Sequence, residues 1–233
     1  MKIGFILLLI LSLSKFSAQI VNIENKRIYD DSSGISGSIS ANFSAVRNQD
    51  LLLSAGLKPL IQYKTPLHYY LLIADWNYSK GANNTFSNAG MIHFRYAYRL
   101  NKIDKHSKKS PWKLEAYAQV QYNQLLRQKL RTLSGSGIRW KMFDISGSRA
   151  FLGSSAFYEY EELATEEVIR NFRWSNYFSW FIYKNNFFFT GVNYFQPKFD
   201  DFKDTRFMGQ YTIGYRLRTN ISVRADFMIF YDS

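Results

Sequence analysis

Apolar and polar residues alternate along residues 34–46, which read GISGSISANFSAV. Every odd position from Ile35 to Ala45 is apolar or Gly, and every even position from Ser36 to Ser44 is Ser or Asn. Because successive side chains of a strand point to opposite faces, this pattern predicts a β-strand with different surroundings on its two faces. The alternation by itself does not decide whether the apolar face meets a protein core or lipid.

The alternation recurs in eleven runs, which turn-type stretches such as KTP, YKNN and RTN separate. No helical period of useful length competes, so we predict an all-β, antiparallel, up-and-down architecture. The predicted strands are residues 34–46, 50–63, 66–79, 89–100, 112–124, 131–143, 151–162, 171–183, 186–196, 205–217 and 221–231.

The number and length of the runs favour lipid on the apolar face. A closed barrel of about eleven or twelve strands is too wide for its interior to be filled by apolar side chains alone. Strands of about ten residues span the hydrocarbon layer, and a closed sheet satisfies every backbone group there. Aromatic residues make up 18% of the chain, and the five Trp residues lie near run ends, where rings suit the headgroup boundary. We therefore predict a transmembrane β-barrel over residues 20–233, with a soluble lipocalin-like carrier as an alternative.

The N-terminal region predicts export to the outer membrane. Lys2 precedes an apolar run over residues 3–14, and the small residues Ser17 and Ala18 follow it. This order is typical of a secretory signal peptide, which we assign to residues 1–19. The chain has no Cys, which excludes both a lipidated N-terminus and disulfides. No later apolar run is long enough for a transmembrane helix.

The formal net charge of +12 narrows the choice of partners. Export argues against nucleic acid, so we expect the anionic counterparts to be outer-membrane lipids and lipopolysaccharide. Lys102, Lys105, Lys108 and Lys109 share one predicted turn, for which a solvated basic turn is the preferred interpretation and contact with such headgroups the alternative. The sequence points to no protein partner beyond the general barrel-insertion machinery.

The polar edges of the strands carry charges that a barrel would place in its lumen, where charges need counter-charges. A basic excess among them would favour anions in any pore. The predicted lumen charge network consists of Arg95, Arg99, Glu115, Arg131, Arg139, Glu159, Glu161, Arg173, Arg206, Arg216, Arg224 and Asp226.

An odd strand count is unusual, because bacterial single-chain barrels have even numbers and keep both termini on the periplasmic side. The eleventh run ends in FMIFYDS, where an external loop is expected. We therefore expect about twelve strands in the full fold, with the closing strand missing here. A miscounted run or an unusual closure is the alternative.

Two short patterns carry a family resemblance. Arg131, Leu133, Gly135, Gly137 and Arg139 form the pattern RTLSGSGIR, and residues 231–233 read YDS. In layout the chain resembles the YdiY-like family of salt-induced outer-membrane proteins, in its Bacteroidetes type. The resemblance implies a twelve-stranded outer-membrane barrel without an agreed activity. Physically, Gly135 and Gly137 leave the inner edge of their strand bare, so a bulky neighbour such as Tyr177 or an Arg could pack there.

Candidate chemistry is sparse. The chain has three His, no metal-ligand spacing and no Gly-rich phosphate loop, so we predict no metal, cofactor or catalytic residues. The sharpest enzymatic alternative is a lipid-modifying hydrolase that uses Ser44, Asp75 and His93, which share one strand parity. The preferred function is a non-enzymatic outer-membrane barrel, either structural or a narrow solute conduit.

Overall fold

The computed structural model of the protein describes residues 20–28, 33–47, 50–81, 84–100 and 110–233. The signal peptide predicted over residues 1–19 lies outside these ranges, as do the four lysines of the predicted basic turn. The described residues include no helix long and apolar enough to cross a membrane.

Within the described ranges, eleven strands form a single sheet in which each strand pairs antiparallel with its neighbours in the chain. This confirms the prediction of an all-β, up-and-down architecture with eleven strands. A short 3-10 helix, Glu24–Lys26, precedes them. The strands are β1 (Gly34–Arg47), β2 (Leu51–Lys64), β3 (His68–Gly81), β4 (Asn84–Arg99), β5 (Trp112–Asn123), β6 (Gln128–Ile145), β7 (Ser148–Leu163), β8 (Val168–Lys184), β9 (Phe187–Pro197), β10 (Thr205–Arg218) and β11 (Ile221–Asp232).

Several strands are longer than their alternation predicts. β4 begins at Asn84 rather than at position 89, so only residues 82–83 connect it to β3. The alternation predicted a longer connection over residues 80–88, and this prediction is wrong. Strand pairing continues as long as a neighbour offers backbone partners, whatever the side-chain pattern. Tight turns join β6 to β7 and β8 to β9, and Gly147 (φ 75°) and Asn185 (φ 53°) adopt the left-handed conformation that such turns need.

The two faces of the sheet have opposite chemistry. We call the inner face the one that carries Gln62, Arg131 and Glu159, which are all nearly inaccessible to solvent. The outer face carries large apolar side chains such as Ile39 (74% exposed) and Ile92 (57% exposed). The inner face thus buries many charged side chains beside a smaller apolar core, and the outer face exposes large apolar side chains of the kind that a water-soluble protein usually buries.

The sheet curls around residues 20–28, which we call the N-terminal segment. Within it, Asn22 donates to Gln210 of β10 (2.9 Å), and Lys26 donates to Asp75 of β3 (2.9 Å). In a flat sheet, β3 and β10 would lie about 34 Å apart, since neighbouring strands are about 4.8 Å apart. Four residues of extended chain reach only about 14 Å. The inner face is therefore concave, and the N-terminal segment lies inside the curve.

Two apolar clusters hold the N-terminal segment against the sheet. Ile23 packs against Leu60, Tyr69, Leu71 and Ile73 of β2 and β3. On the other side, Ile20 packs in a cluster with Tyr177, Val192, Tyr194 and Met208 of β8, β9 and β10. The buried core therefore lies between the N-terminal segment and the sheet.

Strands β1 and β11 form the two edges of the sheet, and among the described residues each pairs with only one neighbour. Both strands are exposed over almost their whole length. In an up-and-down sheet, the first and the eleventh strand run in the same direction. The two edges therefore present parallel rows of backbone donors and acceptors.

The glycines of the family-like pattern are sites of close packing in β6. A Cβ on Gly135 would lie 2.7 Å from the ring of Tyr117, and one on Gly137 would lie 2.2 Å from the carbonyl oxygen of Ser154. The bulky side chains nearest to Gly135 are thus those of Phe157 and Tyr117. Tyr177 instead lies against Gly153 of β7.

We expect Gly137→Val to lower the free energy of unfolding by about 1–3 kcal/mol, the usual cost of overpacking. The atoms that a side chain would meet are mostly main-chain atoms of β7, which cannot turn aside. Ser136→Val adds a side chain of the same size on the exposed outer face of the same strand, and we expect it to be tolerated. Thermal unfolding in detergent micelles measures both, and equal losses would contradict this packing.

Candidate functional site

The N-terminal segment carries polar side chains into the inner face by means of its 3-10 helix. The Oδ1 atom of Asn22 accepts a hydrogen bond from the backbone N–H of Asn25 (3.1 Å), which holds the turn. Residues i and i+3 of a 3-10 helix lie on the same side, so Glu24 and Arg27 project together. Their carboxylate and guanidinium form an ion pair at 2.9 Å.

A first charge cluster joins the segment to the wall of the sheet. Glu24 lies 3.3 Å from Arg95 of β4 and 3.0 Å from Arg139 of β6. Arg27 in turn lies 2.9 Å from Glu115 of β5, which also contacts Arg95 at 3.1 Å. All five side chains are buried. The segment therefore supplies one carboxylate and one guanidinium to a cluster of three arginines and two glutamates.

The electrostatics of the cluster keep Arg27 charged. Burial opposes the charged form, but the nearby carboxylates of Glu115 and Glu24 outweigh it and raise the pKa of Arg27 well above its usual value. A buried ion set of this kind is favourable only if every member has a counter-charge.

A second charge cluster surrounds Glu159 on β7. Its Oε1 atom lies 2.6 Å from Arg131 and 2.9 Å from Arg206, and its Oε2 atom lies 3.3 Å from Arg173. Asp204 pairs with Arg173 at 2.7 Å and Asp232 with Arg206 at 3.3 Å, which balances the remaining positive charge. Strands β6, β7, β8 and β10 are thereby joined through one buried carboxylate.

A row of hydrogen bonds runs from the first cluster to Glu161, which lies opposite Arg131 of the second cluster. Gln119 donates to Gln121 (2.6 Å), Gln121 to Gln128 (2.8 Å) and Gln128 to Glu161 (2.6 Å). At the other end, His93 Nδ1 contacts the Oε1 atom of Gln119 (2.9 Å), and Arg95 donates to His93 Nε2 (3.4 Å). Since Gln119 Oε1 can only accept and Arg95 can only donate, His93 is neutral with its proton on Nδ1.

The structure brings together only some of the residues in the predicted lumen charge network. Eight of its twelve members are buried on the inner face and belong to the two clusters or the row between them: Arg95, Glu115, Arg131, Arg139, Glu159, Glu161, Arg173 and Arg206. The guanidinium of Arg99 donates a hydrogen bond to the carbonyl oxygen of Pro66 (3.0 Å).

Arg216, Arg224 and Asp226 are exposed, because they lie near the edge of the sheet. Arg224 and Asp226 pair with each other at 2.9 Å, at 64% and 51% side-chain exposure. These three residues share the inner parity but lie outside the buried clusters.

The three residues of the hydrolase alternative do not form a triad. Register pairs His93 with Ile73, whereas Asp75 lies opposite Met91. The Asp75 carboxylate contacts Lys26, Lys58 and Asn77, and both His93 nitrogens already have partners. Ser44 is exposed on β1, opposite Ser54. In the described ranges, no three His, Asp or Glu side chains are grouped closely enough to hold a metal ion.

The alternation of the strands gave no sign of Asn22, Glu24, Lys26 and Arg27. They lie in the stretch NIENKR between the predicted signal peptide and the first strand, which has no strand period. The density of charged and amide residues immediately after a predicted cleavage site was the only available signal.

Cavities remain on the inner face around the N-terminal segment. Cavities of about 20 and 50 Å³ remain beside Arg95, and they have room for one and a few water molecules respectively. A larger cavity of about 150 Å³ lies beside Lys26 and Asp75. Beside Arg95 the inner face is therefore covered by the N-terminal segment, whereas β1 and β11 stay exposed along almost their whole length.

Comparisons of the chain with protein-family models, with curated proteins and with solved structures found no match. The functional argument therefore depends on the geometry of this chain.

We expect Glu159→Ala to lower the free energy of unfolding by about 3–5 kcal/mol, because it leaves three buried arginines without their shared counter-charge. Glu162→Ala is the matched control on the same strand. Its carboxylate pairs with Lys129 at 3.4 Å in a more exposed position, where a pair contributes about 0–1 kcal/mol. Unfolding by urea in micelles measures both, and similar losses would rule out the central place of Glu159.

Proposed function

We propose that the protein is a non-enzymatic outer-membrane β-barrel whose lumen is closed by its own N-terminal segment. The observation that carries this proposal is the reversed polarity of the sheet. Buried ion clusters lie on the concave inner face, and large exposed apolar side chains cover the convex outer face. Lipid is the solvent that suits such an outer face.

The aromatic residues of the outer face support a membrane location. Trp112 and Trp140 stack with ring centroids 5.5 Å apart where β5 begins and β6 approaches its end. Trp76 and Tyr78 stack at 6.2 Å nearer the opposite end of the sheet. Amphipathic rings near both ends of the strands match the two headgroup boundaries of a bilayer.

Closure of the barrel is part of the proposal. Lipid does not tolerate an unpaired sheet edge, so β1 and β11 each need a second neighbour. Because the two edges run in the same direction, one additional strand of opposite direction satisfies both. The twelfth strand is proposed on this basis. Membership of the YdiY-like family stays a prediction from the sequence.

A closed lumen favours a structural or gated role over an open pore. The N-terminal segment contacts strands on both sides of the curve and shares the first charge cluster with the wall. A narrow conduit would therefore require this segment to move.

We expect Ile92→Arg to prevent stable insertion, because an arginine at the middle of a lipid-facing strand costs about 2–4 kcal/mol. Leu125→Arg is the control, since Leu125 is 66% exposed but lies in the turn between β5 and β6. Fractionation of cell envelopes, followed by detergent extraction, measures insertion. A soluble carrier would tolerate both changes and would be recovered without detergent.

We expect the wild-type protein to be mostly closed in planar lipid bilayers, and deletion of residues 20–28 to give frequent conducting states. The deletion removes the side chains that fill the interior. Heat-dependent mobility in detergent gels shows whether the shortened barrel is folded. A folded deletion variant with wild-type conductance would contradict closure by this segment.

A further inference from the structure

We propose that Arg95 and Arg139 of the wall form a binding site for the oxyanion of a small solute, and that Glu24 occupies this site in the closed state. The proposal rests on the closed barrel described above and deepens it, because it names the class of solute that would displace the N-terminal segment. The oxyanion is a carboxylate or a phosphate, the groups that guanidinium side chains recognise best.

The two arginines are held in place by the wall itself. The Arg95 guanidinium lies over the ring of Tyr117, 5.0 Å from its centroid, and that of Arg139 lies over the ring of Phe151 at 4.0 Å. Glu115 supports both, at 3.1 Å from Arg95 and 3.8 Å from Arg139. None of these contacts involves the N-terminal segment, so the site persists when the segment leaves.

The two wall arginines lose a carboxylate when the segment leaves. The net charge of the cluster is +1 both before and after Glu24 and Arg27 withdraw, but Arg95 and Arg139 then have the carboxylate of Glu115 without that of Glu24. Two guanidinium groups that were bridged by one carboxylate are suited to bind another oxyanion in its place. A solute oxyanion restores the contacts that Glu24 makes at 3.3 and 3.0 Å.

The N-terminal segment is attached in a way that permits exchange. It pairs with no strand among the described residues, so its departure breaks no ladder of the sheet. Its backbone contacts with the wall are made by side chains: the backbone N–H of Glu24 donates to the Tyr194 hydroxyl, and Gln62 and Lys64 donate to the Ile28 carbonyl. Elements with few backbone bonds to their surroundings are the ones that open first.

The test compares Glu24→Gln with Lys26→Gln in the full protein. Glu24→Gln keeps the shape of the segment but removes the competing carboxylate from the arginines. Lys26→Gln also removes an ion pair of the segment, that with Asp75, but leaves Glu24 in the site. Calorimetric titration in detergent micelles uses succinate and inorganic phosphate as separate probes, with glucose as a neutral control.

We expect Glu24→Gln to bind succinate or phosphate at least about tenfold more tightly than the wild type, since a hydrogen bond to a charged group is worth about this much. Lys26→Gln should bind these anions as the wild type does, and the double variant Glu24→Gln with Arg139→Gln should lose the gain. The succinate and phosphate titrations show which oxyanion the site prefers. Equal affinities of Glu24→Gln and the wild type would overturn the proposal.

A second measurement keeps Glu24 and does not depend on the folding of Glu24→Gln. Ile23 is 3% exposed, and the chain has no native Cys, so Ile23→Cys supplies a single shielded thiol. We expect succinate or phosphate to speed its reaction with an impermeant maleimide several-fold, and glucose to have no effect. An unchanged rate would count against the site. Both measurements work in micelles, so a failure of membrane insertion would be recognised separately by the Ile92→Arg comparison.

Discussion

Each arginine of the two buried clusters lies against at least one carboxylate, and this constraint shapes the rest of the structure. An apolar outer face commits the charged parity of every strand to the interior, where an unpaired ion is costly. Glu159 provides a shared counter-charge for Arg131, Arg173 and Arg206. Beside Arg95 and Arg139, the wall contributes the carboxylate of Glu115, and the N-terminal segment contributes that of Glu24.

The N-terminal segment therefore does more than occupy space. Glu24 forms ion pairs with Arg95 and Arg139, and Arg27 forms one with Glu115. Ile20 and Ile23 pack into two apolar clusters on opposite sides of the curve. In the function that we propose, the same contacts that complete the ion set also close the interior. A segment held mostly by side chains can then leave when another anion replaces its carboxylate. On this proposal, closure and anion recognition are two consequences of one arrangement.

The row from His93 through Gln119, Gln121 and Gln128 to Glu161 gives the inner face a continuous polar lining between the two clusters. Each amide nitrogen donates to the next side chain, and each amide oxygen accepts from the previous one. The three buried glutamines are therefore hydrogen-bonded although they carry no charge. This fully engaged arrangement also explains why His93 and Asp75 do not form a catalytic pair. Their hydrogen-bonding groups are already used to hold the wall and the segment.

The sequence alone determined the local part of this protein. Period-two alternation requires only neighbouring residues, so it gave the eleven strands, their order and the parity that sets Arg95, Glu115 and Glu159 apart from Ile92. The tertiary structure decided what depends on distant residues. Strand ends such as Asn84 depend on a paired neighbour, and the contact of Asn22 with Gln210 joins positions 188 residues apart. The place of Glu24 follows from the curvature of the whole sheet, which brings β4 and β6 around a segment that has no strand period of its own.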